Sequence, residues 1–191
     1  MNKNFFNTPR ILDGGMGQQL LAKGLKAKGS LWSATALIEK KYHQLVIDTH
    51  LDFINSGSDV IVTNNFSARR TRMKENNVEE HFSYANKIAG ELALKAKEIS
   101  KKNVLIAGSL PAQNNTYVLD DRESEVIEKD FHDQAKLIKP YIDFFYLDVF
   151  CGTKECELAL NVLAQFLLWE YSRHKPPKGT ECLIKRSKSF T

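Results

Sequence analysis

The chain has 191 residues, of which 42% are hydrophobic and 26% are charged, and its formal net charge is +4. This composition is typical of a folded globular protein with a substantial core, which excludes fibrous, collagen-like and wholly disordered proteins. No apolar run reaches the ~20 residues that cross a bilayer. Because the amino terminus also lacks a secretory leader pattern and the three cysteines show no disulfide spacing, we expect a cytoplasmic protein with no membrane segment.

Short apolar runs alternate with longer amphipathic runs along the chain, which predicts a β/α fold. The predicted strands span residues 10–12, 59–63, 104–109 and 142–147. The predicted helices span residues 18–23, 38–55, 78–101, 124–139 and 153–168. Four such units in sequence indicate a parallel sheet with right-handed crossovers, and the loop at 110–121 is long enough to cover a site. Length alone favours an open doubly wound sheet over an eight-stranded barrel.

The loop after the first predicted strand reads Asp13-Gly14-Gly15-Met16-Gly17. It lacks the glycine spacing of a dinucleotide site and of a Walker motif, and its leading carboxylate would repel a phosphate. An amine or another cationic group beside closely approaching backbone fits the loop. The same glycines also fit a plain tight turn between a strand and a helix, so both interpretations stay open.

The cysteines and histidines do not have the spacing of a known metal-binding motif, and the basic residues do not form a known nucleic-acid-binding motif. We expect Cys151 and Cys156 to be ordinary buried thiols, and the scattered histidines to form no metal site. Residues 169–191 hold six basic and two acidic side chains, which accounts for the whole net charge. We expect this segment to be a basic, poorly ordered tail without a specific nucleic-acid or membrane site.

Five segments taken together carry a further signal. They are residues 11–17, 31–34, 50–66, 107–110 with the following loop, and 143–147. In order and spacing these segments resemble the amino-terminal half of the homocysteine S-methyltransferase family, over roughly residues 8–165. The resemblance implies a (β/α)8 TIM barrel, present here as a truncated or partial barrel of about four βα units in residues 1–168, with the tail in residues 169–191.

The family resemblance also implies a reaction and a cofactor. A methyl group passes from a donor to the thiol of homocysteine, which forms methionine, while zinc deprotonates and holds the thiol as a nucleophilic thiolate. The family takes its three zinc cysteines from the second half of the barrel. Cys151, Cys156 and Cys182 match none of those positions, so the zinc ligands of the family are absent from this chain.

The substrate-binding residues that the resemblance implies lie at the carboxyl ends of predicted strands, where barrel enzymes build their sites. They are Asp13, Gly14, Gly15, Thr63, Asn64, Asn65 and Asp148. The two aspartates would bind the substrate ammonium group, the first two glycines would admit backbone close to the ligand, and the other three residues would position it. The family usually has glutamate where Asp148 stands, and no catalytic residue is identified.

The expected partners are homocysteine and a methyl donor. Arg69, Arg70, Arg72 and Lys74 could meet an anionic donor, although a solvated helix face is the preferred interpretation. Copies of the chain could associate through the strand edges that a half barrel exposes. Two other hypotheses stay open: a non-catalytic remnant or interaction module that retains the βα scaffold, and an open-sheet enzyme for an amino-acid-like ligand.

Overall fold

A computed structural model describes the backbone of residues 5–173 and the side chains of residues 5–166. Three parallel strands form one sheet in the order β1-β2-β3. The strands are β1 (Val60–Val62), β2 (Leu105–Pro111) and β3 (Phe144–Asp148). The helices are α1 (Met16–Ala22), α2 (Thr35–Ile38), α3 (His43–Asn55), α4 (Arg70–Glu75), α5 (Phe82–Ser100), α6 (Ser124–Ile138) and α7 (Thr153–Arg173). The predicted α/β class and parallel sheet are confirmed.

The first predicted strand, residues 10–12, is reduced to one parallel bridge between Leu12 and Val60. Asp59 interrupts the ladder because its carboxylate accepts the Ile11 amide at 2.9 Å. The Ile11 carbonyl in turn accepts the amides of both Asp59, at 2.8 Å, and Val60, at 3.2 Å. The prediction of a strand at residues 10–12 was therefore wrong, although these residues still lie beside β1.

The helix predicted over residues 38–55 is broken at its start. Glu39 has extended backbone angles, with φ at −92° and ψ at 102°, and its carboxylate pairs with Lys28 and Lys41, each at 2.7 Å. A 3-10 turn then leads into α3. At the other end of the chain, the backbone of α7 continues to Arg173, five residues into the predicted tail, while residues 174–191 lie outside the described residues.

The core lies between the sheet and the helices, in two clusters. The larger cluster joins α1, α3 and α5 to the sheet through side chains such as Leu20, Ile54, Ile61 and Ile106. The smaller one packs Phe131 of α6 and its neighbours against α7. Full burial of each such side chain contributes about 1.5–3 kcal/mol, so the two clusters fix the helices on the sheet and leave its carboxyl end free for a site. No described helix combines the length and apolarity that a bilayer crossing needs.

Candidate functional site

A cavity of about 580 Å³ lies at the carboxyl end of the sheet. Its wall includes the residues that follow the Leu12 bridge, the end of β1 and the end of β3. Six of the seven predicted substrate-binding residues line it, namely Asp13, Gly14, Gly15, Thr63, Asn64 and Asp148. The parallel arrangement brings these residues together because the carboxyl ends of neighbouring parallel strands meet at one edge.

Asp13 is half-buried at the mouth of the glycine loop. Its Oδ2 accepts the Val62 amide at 2.8 Å, and its own amide donates to the Val60 carbonyl at 3.0 Å. Burial raises the pKa of Asp13 to about 7, and the negative charge of Asp148 adds to that increase. A cationic ligand beside Asp13 would stabilise the ionised carboxylate that burial disfavours.

Asp148 ends β3 and also faces the cavity. Burial raises the pKa of its carboxyl group, while a hydrogen bond from Ser109 and the positive charge of Arg69 oppose that increase. The Ser109 hydroxyl donates to Asp148 Oδ2 at 2.9 Å. The cavity therefore holds two partly desolvated carboxyl groups that stand on separate elements.

The glycine loop is shaped by contacts with two aromatic rings. A Cβ on Gly17 would lie 2.7 Å from Cζ2 of Trp32, and one on Gly14 would lie 2.8 Å from Cε1 of Phe53. Trp32 itself adopts a left-handed backbone conformation, with φ at 46°, which is strained for a bulky residue. Close packing thus requires glycine at positions 14 and 17, whereas a Cβ on Gly15 would make only ordinary contacts.

Asn65 does not line the cavity; it lies fully buried behind Thr63. Its Oδ1 accepts the Thr63 hydroxyl at 2.6 Å, and its Nδ2 donates to Asn86 Oδ1 at 3.0 Å and to the Ser109 carbonyl at 2.9 Å. Gln134 extends this network from α6 by donating to Asn86 Oδ1 at 3.1 Å. The structure therefore makes Asn65 a positioning residue that joins β1 to β2 and α5.

Several cavity residues were not predicted to contact a ligand. They include the aromatic side chains Trp32, Phe66, Tyr117 and Tyr146, and the polar side chain Thr116. Arg72, which was predicted to lie on a solvated helix face with an anionic donor as the alternative partner, also lines the cavity. Thr116 and Tyr117 belong to the loop between β2 and α6, so the prediction that this loop is long enough to cover a site is supported by its position. A signal for Trp32 was available in the second of the five matching segments, where the residue stands beside Ser33.

The loop between β2 and α6 is anchored at both ends. Arg69 donates to the Ala112 carbonyl at 3.1 Å and to the Thr116 hydroxyl at 2.8 Å. At the other end, Arg122 binds Asp120 at 2.7 Å and Asp130 at 2.9 Å. The segment between these anchors projects into solvent, with Tyr117 82% exposed.

The arginine run after β1 does not form the solvated face that the sequence analysis preferred. Arg69 is fully buried, and Arg70 forms ion pairs with Glu79, Asp130 and Asp133. Arg72 points to the cavity instead of open solvent. The prediction fails for Arg69 and Arg72 because the loop after β2 contacts both through Thr116, and it fails for Arg70 because carboxylates surround that side chain. Lys74 is exposed, as predicted.

The described residues do not fit a zinc ion. No group of three or more histidine, cysteine, aspartate or glutamate side chains within residues 5–166 could hold a metal. Cys151 is exposed, which contradicts the prediction of a buried thiol, and Cys156 is half-buried. The described residues therefore supply no zinc site for the reaction.

Comparison with known proteins decides the family. The sequence model of the homocysteine S-methyltransferase family matches residues 10–184. This chain belongs to the homocysteine S-methyltransferase family. The match continues beyond residue 165, where the five-segment resemblance ended, and it reaches into residues 169–191, which were predicted to form a basic, poorly ordered tail.

Individual relatives agree with the family match. Homocysteine S-methyltransferase of Escherichia coli K12 is 32% identical over 109 residues, which cover 52% of this chain and 34% of that protein. An S-methylmethionine–homocysteine S-methyltransferase of Pongo abelii is 30% identical over 140 residues, which cover 72% of this chain and 35% of the relative. This chain thus matches about one third of the length of these curated relatives.

A solved structure shows the same fold. The metallated form of the homocysteine methyltransferase MmuM from Escherichia coli superposes with a TM-score of 0.73 at 21% sequence identity. The superposition covers 86% of this chain and 62% of that protein. The oxidised form gives a TM-score of 0.74 at 22% identity. The fold of this chain is therefore shared with 62% of that homocysteine methyltransferase.

Proposed function

We propose that this chain acts in methyl transfer to the thiol of homocysteine, which forms methionine, and that it supplies the amino-acid-binding part of the active site. Membership of the homocysteine S-methyltransferase family supports the reaction class. The likeness to 62% of the MmuM structure supports a partial (β/α)8 barrel, whose described part contains three parallel strands. The substrate class under this proposal is an amino acid that carries a thiol.

One observation carries the proposal: Asp13 and Asp148 line the same cavity, and neither forms an ion pair with a described cationic side chain. An ammonium group between two such carboxyl groups would lower the pKa of each and favour the charged forms. Since the cavity is partly desolvated, this attraction is stronger than it would be in water. The two aspartates therefore bind and orient the substrate ammonium group.

The neighbouring polar residues define what else the site can do. The Thr63 hydroxyl already donates to Asn65 and accepts the Ser109 amide at 3.0 Å, so its role is to hold the end of β1 in place. Asn64 donates from Nδ2 to the Ser33 carbonyl at 3.2 Å, which leaves its amide oxygen as an acceptor for the ligand. Gly14 and Gly15 allow the ligand to approach the backbone of the first loop.

A second candidate function is supported by the poor fit to a metal. Within residues 5–166 no cluster of metal-binding side chains exists, and the family's reaction depends on a thiolate that a metal would hold. A scaffold that binds the amino acid without transferring a methyl group is consistent with this arrangement. The two functions share the ammonium site and differ in turnover.

Calorimetry with L-homocysteine tests the proposal. We expect the wild-type chain to bind it, and Asp13→Asn and Asp148→Asn each to weaken binding by about tenfold or more, as the loss of a charged hydrogen bond predicts. Asp121→Asn, at an exposed position outside the cavity, is the matched control and should bind like wild type. Failure of the wild-type chain to bind, or equal binding by the Asp13 variant, would contradict the ammonium site.

Turnover separates the two candidate functions. Elemental analysis for zinc and a methionine-formation assay with S-methylmethionine are run on the same preparation. Homocysteine binding with methionine formation supports the methyltransferase, and homocysteine binding without it supports the non-catalytic scaffold.

A further inference from the structure

One part of the cavity wall consists of hydrogen-bond donors. Arg72 and Thr116 line the cavity, and Arg69 lies fully buried beside them. The Thr116 hydroxyl oxygen accepts Nη2 of Arg69 at 2.8 Å and Nη2 of Arg72 at 3.3 Å. A hydroxyl oxygen has two lone pairs, and the two arginines occupy both of them. Thr116 can therefore act toward a further partner only as a hydrogen-bond donor.

The charge of the two arginines is not neutralised by direct contact. Neither Arg69 nor Arg72 forms an ion pair with a described carboxylate, and the Nε atoms of both are buried without a hydrogen-bond partner. Arg70, on the same helix as Arg72, contacts three carboxylates at 3.3 Å or less. Buried guanidinium groups are normally paired with an anion. The contrast with Arg70 therefore indicates that Arg72 pairs with an anionic ligand that binds in the cavity.

Electrostatics agree with this geometry. Burial lowers the pKa of Arg69 to about 10 and also lowers the pKa of Arg72. The Arg72 charge contributes to the lowering of the Arg69 pKa, whereas Glu75 acts on both only as a more distant charge. An anion bound at this wall would relieve both the desolvation and the mutual repulsion.

The same cavity holds acidic groups elsewhere on its wall, at Asp13 and Asp148. A cavity with a carboxylate pair in one part and a guanidinium group with a hydroxyl donor in another is complementary to a zwitterion. An α-amino acid presents an ammonium group and a carboxylate on one carbon. Its carboxylate accepts hydrogen bonds from guanidinium and hydroxyl donors in its plane.

We propose that Arg72 and Thr116 form a carboxylate subsite of this cavity, with Arg69 as the positioning residue that holds Thr116, and that the ligand is an α-amino acid. The subsite rests on the proposed function, because the ammonium group of the same ligand lies at Asp13 and Asp148. Either the methyl acceptor or an amino-acid methyl donor carries the carboxylate in question. Arg72 thereby selects amino acids over simple thiols and amines.

Calorimetry with ligands that lack one charged group tests the subsite. The ligands are L-homocysteine, 3-aminopropane-1-thiol, which lacks the carboxylate, and 4-sulfanylbutanoate, which lacks the ammonium group. Arg72→Met should weaken binding of both carboxylate compounds by about tenfold or more and change binding of the aminothiol by less than about twofold. Lys74→Met, which removes a charge from an exposed position on the same helix, is the matched control and should change none of the three.

Thr116→Val gives an independent test if the Arg72 variant unfolds. This substitution keeps the shape of the side chain and removes only the hydroxyl, so it should weaken the carboxylate compounds selectively. Circular dichroism and thermal unfolding establish that each variant is folded. A fourth ligand, S-methylmethionine, shows whether an amino-acid methyl donor also uses the subsite, since Arg72→Met should then weaken its binding as much as that of L-homocysteine.

The outcomes separate the subsite from the proposed function. Equal weakening of all ligands by Arg72→Met, no weakening by either variant, or no binding of any carboxylate compound to the wild-type chain overturns the subsite. Binding of 4-sulfanylbutanoate through Arg72, together with no effect of Asp13→Asn on any ligand, supports the subsite and overturns the ammonium site of the proposed function.

Discussion

Asp13 and Asp148 face one cavity, in which burial of Asp13 and the negative charge of Asp148 together raise the pKa of Asp13 to about 7. The first residue follows the Leu12 bridge and the second ends β3, so the pair exists only when the sheet is assembled. A carboxyl group that is half protonated near neutral pH binds a cation in competition with protons. Ligand binding and protonation are therefore linked at this site.

The affinity for an ammonium ligand should depend on pH. Because Asp13 must release its proton to bind 3-aminopropane-1-thiol, the affinity should fall by up to about tenfold for each unit of pH below about 7 and should level off above it. Asp13→Asn should weaken binding at all pH values and reduce this dependence to the part that Asp148 contributes. Calorimetry between about pH 5.5 and 8.5 measures both curves, and a pH-independent affinity of the wild-type chain would contradict the linkage.

Replacement of Asp13 should also change stability in a pH-dependent way. The folded chain binds the Asp13 proton more tightly than the unfolded chain, so this residue favours folding below about pH 4 and loses that contribution as the pH rises through about 7. Asp13→Asn, which carries no charge, should therefore raise the free energy of unfolding relative to wild type near pH 8, by at most about 4 kcal/mol. Near pH 4 this difference should vanish.

Urea denaturation at the two pH values measures this effect. Asp121→Asn, at an exposed position, is the control for a general change in charge. A difference between wild type and Asp13→Asn that is the same at both pH values would show that burial does not penalise the charged Asp13.

A methyl group at position 17 should disturb the cavity more than one at position 15. In Gly17→Ala the new Cβ would lie 2.7 Å from the Trp32 ring, so the ring must shift, and the open space beside it is the cavity. We expect a loss of about 1–3 kcal/mol in the free energy of unfolding, together with weaker ligand binding. In Gly15→Ala the nearest atom would lie 3.8 Å away, so this variant should be close to wild type.

Tryptophan fluorescence reports the displacement directly when Trp169 is replaced by phenylalanine in all chains compared. Gly17→Ala should change the emission of Trp32, and Gly15→Ala should not. Identical spectra and stabilities for the two alanine variants would contradict the close packing of Gly17 against Trp32.

Interruption of the buried amide network around Asn65 should lower the free energy of unfolding. Asn65→Ala removes an acceptor for Thr63 and a donor for Asn86 and for the Ser109 carbonyl, and these partners stay buried. Each unsatisfied buried polar group costs about 1–3 kcal/mol, so we expect a loss of at least about 2 kcal/mol in urea denaturation. Asn103→Ala, at an exposed position before β2, is the control. Similar stabilities of the two variants would show that the network contributes little.

Sequence patterns were sufficient for the elements that have a strong period. Helix α5 was predicted because apolar residues recur at three- and four-residue steps, and the strands at residues 59–63 and 104–109 were predicted from short apolar runs. The break at Glu39 was not predictable, because no glycine or proline marks it and the carboxylate there pairs with Lys28, eleven positions earlier. The loss of the first strand likewise results from side chains that replace ladder partners, since the Asp59 carboxylate accepts the Ile11 amide and the Asp13 carboxylate accepts the Val62 amide.

The site was predictable where it follows from topology. Asp13 follows the Leu12 bridge and Asp148 ends β3, and the carboxyl ends of the parallel elements of one sheet lie at the same edge. Arg72 and Thr116 lie on a short helix and in a long loop, and no periodicity places these two elements in contact. A run of three arginines in four positions has the pattern of an exposed helix face, and only the loop folded over it makes Arg69 a buried residue.

The loop between β2 and α6 has one further consequence, for proteolysis. Its two anchors, at Arg69 and Arg122, leave Tyr117 and Leu119 in the exposed segment between them, 82% and 68% exposed. Exposed loop tips are preferred sites of nicking, and chymotrypsin cleaves after aromatic residues, so Tyr117 is a target for it. Because β2 pairs with β3 across that cut and Arg70 binds Asp130 and Asp133 beyond it, the two fragments should migrate together in size-exclusion chromatography and separate only under denaturing conditions.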